Sequence, residues 1–175
     1  GDAGFITTHS KEVYEKIKRL QNHGLIDRNT CAEWGLNSRL DAIHCAIGNV
    51  KLKHLDALTA RFREIANIYR KGLEDVVSVP QDKPYEFAVY HNFVICTDKR
   101  DALKAYLTEK GIGCAIHYPV LLHLQPAAKA LGYKAGDFPV AEKLNQEQLS
   151  LPIFPELEDH EIEGVINAIR TFFNK

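Results

Sequence analysis

The chain has 175 residues, 45% of them hydrophobic and 26% charged, with a formal net charge of −1. That length suffices for one domain, or for a small domain joined to part of another, and the composition is that of an ordinary globular protein, which excludes a disordered or fibrous chain. The near-neutral charge argues against nucleic acid or an anionic membrane as a partner, and no apolar run approaches the roughly 20 residues needed to cross a bilayer.

In chain order, Gly1-Asp2-Ala3-Gly4 is a glycine-flanked acidic turn running straight into apolar Phe5-Ile6. Such a turn normally follows the element it turns back from. The chain also has no methionine, and it is expected to begin inside a longer protein. Phe5 to Thr8 reads as a short strand. Ser10 can cap a helix with the stripe Val13, Ile17 and Leu20, which Gly24 would end. Leu25 to Leu36 has no period and reads as a loop carrying the lone tryptophan, Trp34.

A long helical pattern begins at Ser38 with a capping-box arrangement, Ser38-x-x-Asp41, and apolar positions at Leu40, Ile43, Ile47 and Val50. The stripe slips by one residue and resumes at Leu55, Leu58, Phe62, Ile65, Tyr69 and Leu73. This predicts either a bent helix or two helices meeting near 51–54. Unbroken, it would span about 50 Å at 1.5 Å per residue, a length that suits a connector between domains. A proline-marked break at 79–84 places a domain boundary near residue 75, giving regions 1–75 and 76–175.

Beyond it strand and helix alternate. Phe87 to Thr97 reads as a buried strand. Asp98 can cap a helix that Gly111 stops, and Ile112 to Tyr118 reads as a second strand. A short helical piece around Ala127 to Leu131 follows, Asp137 can cap another helix, and Leu151 to Phe154 is a short strand between prolines. Ile162, Val165, Ile166, Ile169, Phe172 and Phe173 form a closing amphipathic helix. The sum is a small α+β domain, a few-stranded sheet with helices packed on it.

Two groups of residues could carry chemistry. Asn37-Ser38-Arg39 falls where the long helix is expected to begin. Free N–H groups and the positive end of the helix dipole there would suit a phosphate, with an amide and a guanidinium added; a capped helix with a salt-bridged arginine is the alternative. His117-Tyr118-Pro119, followed by Leu122-His123-Leu124-Gln125-Pro126, puts two histidines on a proline-stiffened loop after a strand, where ligand contacts tend to lie. Spacing alone does not separate a site from packed loop histidines. Cys114 and His117 are an odd number of residues apart, which on a strand turns their side chains to opposite faces. His91, inside an apolar stretch, reads as a core histidine. Cys31, Cys45, Cys96 and Cys114 include no C-x-x-C pair and no zinc-type spacing, so no metal site is expected. Unpaired thiols without a secretory signal point to the cytoplasm.

Many blocks of the chain, in order, resemble the C-terminal half of the DegT/DnrJ/EryC1/StrS sugar aminotransferases. They are G-D-x-G, Asn22-His23-Gly24, Gly35-Leu36-Asn37-Ser38-Arg39-Leu40-Asp41, Val50-Lys51-Leu52-Lys53-His54-Leu55-Asp56, Ile116-His117-Tyr118-Pro119, L-H-L-Q-P, Leu131-Gly132-Tyr133, Gly136-Asp137-Phe138-Pro139 and Leu149-Ser150-Leu151-Pro152. Ala3, where a glycine is common, departs mildly from the pattern.

The resemblance implies the C-terminal part of an α/β fold of the pyridoxal-phosphate transferase fold type I. A remnant of the large domain and the long connecting helix would occupy 1–75, and the small α+β domain 76–175. It implies a segment of a pyridoxal-phosphate-dependent enzyme that moves an amino group from glutamate or glutamine to a keto-sugar nucleotide. Asn37 and then Arg39 would contact the cofactor phosphate of a neighbouring subunit, and His117 and Tyr118 would contact the nucleotide-sugar substrate. His123 and Gln125 would be loop scaffolding. The Schiff-base lysine lies upstream in the family, so no catalytic residue is assigned here. The chain alone is expected to bind no cofactor, to be inactive, and to self-associate as a homodimer or domain-swapped assembly. A non-catalytic binding or dimerisation module and a sugar dehydratase relative are the alternatives.

Overall fold

The computed structural model describes residues 4–175. Gly1, Asp2 and Ala3 of the opening turn lie outside the described residues. The chain divides into two compact units, Gly1–Leu55 and Asp56–Lys175.

In the first unit, α1 spans Lys11–Leu20 and Ser10 caps it, its side chain accepting from the Val13 N–H at 3.3 Å. Gly24, at φ +71, donates its N–H to the Arg19 carbonyl at 2.8 Å and so closes the helix end. No strand forms at 5–8; Phe5 and Ile6 are exposed. The loop of 25–36 is pinned by a bridge between Leu25 and Cys31, by the Ala32 N–H donating to the Gly24 carbonyl at 3.0 Å and by an Arg19–Glu33 ion pair at 3.2 Å. Helix α2, Ala42–Leu52, begins later than the capping-box pattern implied. Its N-cap is Asp41, without a side-chain cap bond, because residues 37–38 are drawn into backbone pairing with 21–22 instead. Neither α1 nor α2 buries a side chain.

The slip in the long stripe is a true break. After α2 ends, the N–H groups of Lys53 and His54 fold back three residues to Val50 and Lys51, and α3 starts afresh as Leu55–Leu73.

The core lies in the second unit. Ile65, Ala66, Tyr69 and Leu73 of α3 are buried against β1 (Phe93–Cys96), α4 (Arg100–Glu109), β2 (Gln148–Leu151) and α6 (Asp159–Phe172). The compact units therefore divide earlier in the chain than the boundary expected near residue 75, because α3 shares its apolar face with the C-terminal core. Helix α6 starts with a reciprocal capping box between Glu158 and Glu161 and buries Ile162, Val165, Ile166, Ala168 and Ile169. Each fully buried Ile or Leu here stabilises by about 1.5–3 kcal/mol. The remaining helix is α5, Pro139–Glu147, and short 3-10 turns occupy Leu122–Leu124 and Pro126–Leu131.

The sheet pairs β1 and β2 antiparallel, in the register Phe93 to Leu151, Val94 to Ser150, Ile95 to Leu149 and Cys96 to Gln148. Single bridges widen it on both sides, Ser78 to Cys96 and Ala115 to Ser150. The strand expected at 87–97 is shortened to β1, and the one expected at 112–118 is reduced to the single bridge at Ala115. Residues 87–92 leave the sheet because Tyr90 sits at φ +53 and Arg63 grips the Ala88 carbonyl. Pairing in 112–118 ends after Ala115, since Tyr118 turns to φ +55 and Pro119 has no N–H to donate. β2 also lies earlier than expected, ending at Leu151. Asp98 and Asp137 are not the caps; Lys99 and Phe138 occupy those positions. His91 is exposed rather than in the core.

Candidate functional site

Strand alternation sets up the site. Phe93, Ile95, Leu149 and Leu151 turn to the core, so Asn92, Val94, Gln148 and Ser150 turn to the opposite face. That face, with the 117–122 loop, encloses a cleft of about 750 Å³ whose polar lining is Asn92, His117, Tyr118, Gln125, Asn145, Gln148 and Ser150. Among the described residues, no Asp, Glu, Lys or Arg lines it.

His117 and Tyr118 are brought together at its mouth. The His117 ring lies 2.8 Å through Nδ1 from the Ser150 Oγ, and its carbonyl accepts from the Gln148 side chain at 3.2 Å. Asn145 donates to the Tyr118 carbonyl at 3.0 Å, while the Tyr118 ring is 84% exposed. These clamps hold Tyr118 in the left-handed backbone region, which a non-glycine residue adopts only when its surroundings support it. Ser150, Gln148, Asn145 and Asn92 were missed by the sequence reading. The Leu149-Ser150-Leu151 alternation is the signal that could have found Ser150.

His123 has a different role. Its Nε2 lies 3.1 Å from Glu142, whose carboxylate also accepts from the Gly136 and Phe138 N–H groups, and its ring packs on Phe138 at 4.8 Å. Those backbone donors, Gly136 first, hold the Glu142 carboxyl below its usual range. Gln125 donates to the Val120 carbonyl. Both residues brace the loop. Ile112, Cys114 and Ile116 pack toward the core while His117 is exposed on the cleft side, so Cys114 and His117 do not converge. Burial pushes the Cys96 and Cys114 thiols up, away from a reactive thiolate.

Asn37 and Arg39 belong to the first unit, and the residues of the cleft to the second. Asn37 is not at a helix N-terminus; it sits in an extended segment bridged to Asn22. Arg39 donates from Nε to the Asn37 Oδ1 at 3.1 Å and from Nη1 to the Asn22 Oδ1 at 2.9 Å. So held, the Asn37 amide N–H and the Arg39 Nη2 are exposed donors without another hydrogen bond among the described residues. An amide and a guanidinium side by side suit a phosphate.

Among the described residues no His/Cys/Asp/Glu group could hold a metal ion, and no helix is long and apolar enough to cross a membrane.

The profile of the DegT/DnrJ/EryC1/StrS aminotransferase family matches residues 1–170. The chain belongs to that family. Among curated relatives, it is 41% identical to the "Pleiotropic regulatory protein" of Geobacillus stearothermophilus, over 99% of this chain and 48% of that one. It is 36% identical to the dTDP-3-amino-3,4,6-trideoxy-alpha-D-glucose transaminase of Streptomyces venezuelae, over 97% of this chain and 45% of the relative. Among solved structures, S. venezuelae DesV superposes with a TM-score of 0.91 at 34% identity, covering 96% of this chain and 46% of DesV. The chain thus spans about half the length of the curated relatives it matches.

Proposed function

We propose that this DegT/DnrJ/EryC1/StrS family chain is a C-terminal segment of a pyridoxal-phosphate-dependent nucleotide-sugar aminotransferase, moving an amino group from glutamate or glutamine to a keto-sugar nucleotide. The observation that carries this reading is the charge-free cleft in which His117 and Tyr118 stand together on the far face of the sheet. Its amides, hydroxyls and imidazole match the hydroxyl-rich, uncharged part of a nucleotide sugar. The S. venezuelae relative, named as a transaminase of a dTDP-linked sugar, supports the same substrate class.

Asn37 and Arg39 would hold the cofactor's phosphate, and their donors fit one. Pyridoxal phosphate, when bound, supplies the electron sink for amino transfer. The lysine that carries it would come from outside these 175 residues, so the chain by itself would be catalytically silent. Residues 1–75 would be the large-domain remnant with its connecting helix. Ile43, Ile47 and Val50 of α2 are each more than half exposed, which favours self-association. Four free cysteines suit a reducing compartment such as the cytoplasm. The regulatory name of the Geobacillus relative favours a second reading, a binding module without catalysis.

The test has two arms. Titration of the 15N-labelled chain with UDP-N-acetylglucosamine should move the His117 and Tyr118 signals; shifts confined to other regions would remove the substrate reading. Borohydride reduction after adding pyridoxal phosphate, followed by intact mass, should give no specific adduct. A single adduct on one lysine would place the cofactor-bearing lysine inside this chain.

A further inference from the structure

We propose that Ser150 is a positioning residue that fixes His117 as the Nε2–H tautomer, so that the imidazole offers an N–H donor to an uncharged oxygen of whatever occupies the cleft. For the identity of that occupant the inference rests on the reading above; for the tautomer it does not.

Ser150 is 6% exposed, and both of its backbone groups are engaged with Ala115, the N–H at 2.8 Å and the carbonyl at 3.1 Å. Its hydroxyl has one hydrogen-bond partner among the described residues, the His117 Nδ1 at 2.8 Å. A hydroxyl carries one donor and two acceptor sites. Were Nδ1 the donor, the Ser150 O–H would have no acceptor among the described residues, whereas an unfilled lone pair is the smaller penalty. Ser150 therefore donates, Nδ1 accepts, and the proton of the neutral ring lies on Nε2.

The aim of the ring is fixed at a second point. Gln148 and Ser150 are two residues apart on β2 and share a face, so one strand grips His117 twice, at its carbonyl through Gln148 and at its ring through Ser150. With Nδ1 and the carbonyl so engaged, Nε2 has no hydrogen-bond partner among the described residues, and His117 is one of the residues lining the cleft. No carboxylate among the described residues lines that cleft, so the ring meets no fixed charge there. A single N–H donor in a charge-free site is matched by a hydroxyl or carbonyl oxygen.

The experiment is long-range 1H–15N correlation of the ring nitrogens in the full chain, at about pH 8.5 where imidazole is neutral, with His117 assigned by its loss in His117→Gln. The expected wild-type spectrum has Nδ1 as the unprotonated nitrogen and Nε2 protonated. Ser150→Ala should give a mixture of tautomers, and Ser150→Thr, which keeps the hydroxyl, should restore the wild-type pattern. A dispersed backbone spectrum of each variant shows that it is folded. A wild-type proton on Nδ1, or an unchanged tautomer in folded Ser150→Ala, would overturn the proposal. If the tautomer is as stated but UDP-N-acetylglucosamine moves none of the His117 signals, the substrate reading falls and the positioning role stands.

Discussion

A Cβ added to Gly35 would lie 2.3 Å from the backbone nitrogen of Gly24 and 2.6 Å from the Leu20 carbonyl oxygen. The two glycines let the chain before Asn37 press against the end of α1. There Leu36 donates to Leu20 at 2.7 Å and Ser38 donates to Gln21 at 2.9 Å. A methyl group at Gly35 has backbone on both sides and no flexible side chain to displace. Gly35→Ala should weaken this packing by about 1–3 kcal/mol, the usual range for overpacking, and release the bridge between Asn22 and Asn37. Faster hydrogen exchange at the Leu36 and Ser38 amides, with unchanged exchange in the 56–175 core, is the expected result. Unchanged exchange at Leu36 would show that the close approach does not hold.

Tyr69 is fully buried in α3 and donates its hydroxyl to the Pro152 carbonyl at 2.9 Å, just past the end of β2. Burial, and secondarily the Glu161 carboxylate, push the phenol's ionisation up. The folded chain then keeps a proton that the unfolded chain releases above about pH 10, so stability should fall as pH rises past that value. Tyr69→Phe should cost about 1 kcal/mol at neutral pH through the lost hydrogen bond and should flatten the alkaline decline. Urea unfolding of both proteins at about pH 8 and about pH 10.5 checks this; parallel declines would assign the alkaline loss to other groups.

How far the sequence reaches is clear from particular elements. Ser10 capping α1, the break between α2 and α3 and the apolar stripe of α6 were legible because each depends on residues within one or two turns of one another. The strands were overextended because two non-local facts end them. Arg63 pulls the Ala88 carbonyl out of line, and Tyr90 and Tyr118 take left-handed backbone angles that no local propensity signals. The capping box at Ser38 fails for the same reason: pairing with 21–22 outcompetes the first helical turn. His117 and Tyr118 could be singled out by motif. Ser150, Gln148 and Asn145, the residues that hold them, stand 33, 31 and 27 positions from their partners, and only the folded chain brings them near.

The Glu142 carboxylate gathers the Gly136 and Phe138 N–H groups and the His123 ring at one point. Its ionisation is held down chiefly by the Gly136 N–H. A lowered carboxyl favours the fold at every pH above the ordinary glutamate value, and that contribution is lost as pH falls through the lowered one. The Gly136 amide resonance should therefore titrate with an acid midpoint below 4.5, the unperturbed value. In Glu142→Gln that titration should vanish, and the 134–138 turn should exchange faster with solvent. A midpoint at or above the unperturbed value would mean that the backbone donors do not hold the charge.

Asn145 at the end of α5 and Gln148 at the start of β2 each grip one carbonyl of the His117-Tyr118 dipeptide, at 3.0 Å and 3.2 Å. Neither clamp touches the core, so removing one should leave global stability nearly unchanged and act on the site. If the cleft takes a nucleotide sugar, Asn145→Ala and Gln148→Ala should each weaken UDP-N-acetylglucosamine binding by about 3–10-fold, the worth of one hydrogen bond. The two losses should not add. Once either clamp is gone, Tyr118 can relax from its left-handed conformation and the ligand meets a loop already displaced, so the second removal has less left to undo. A double variant whose loss equals the product of the single losses would mean that the clamps act separately and that the dipeptide is not one rigid unit.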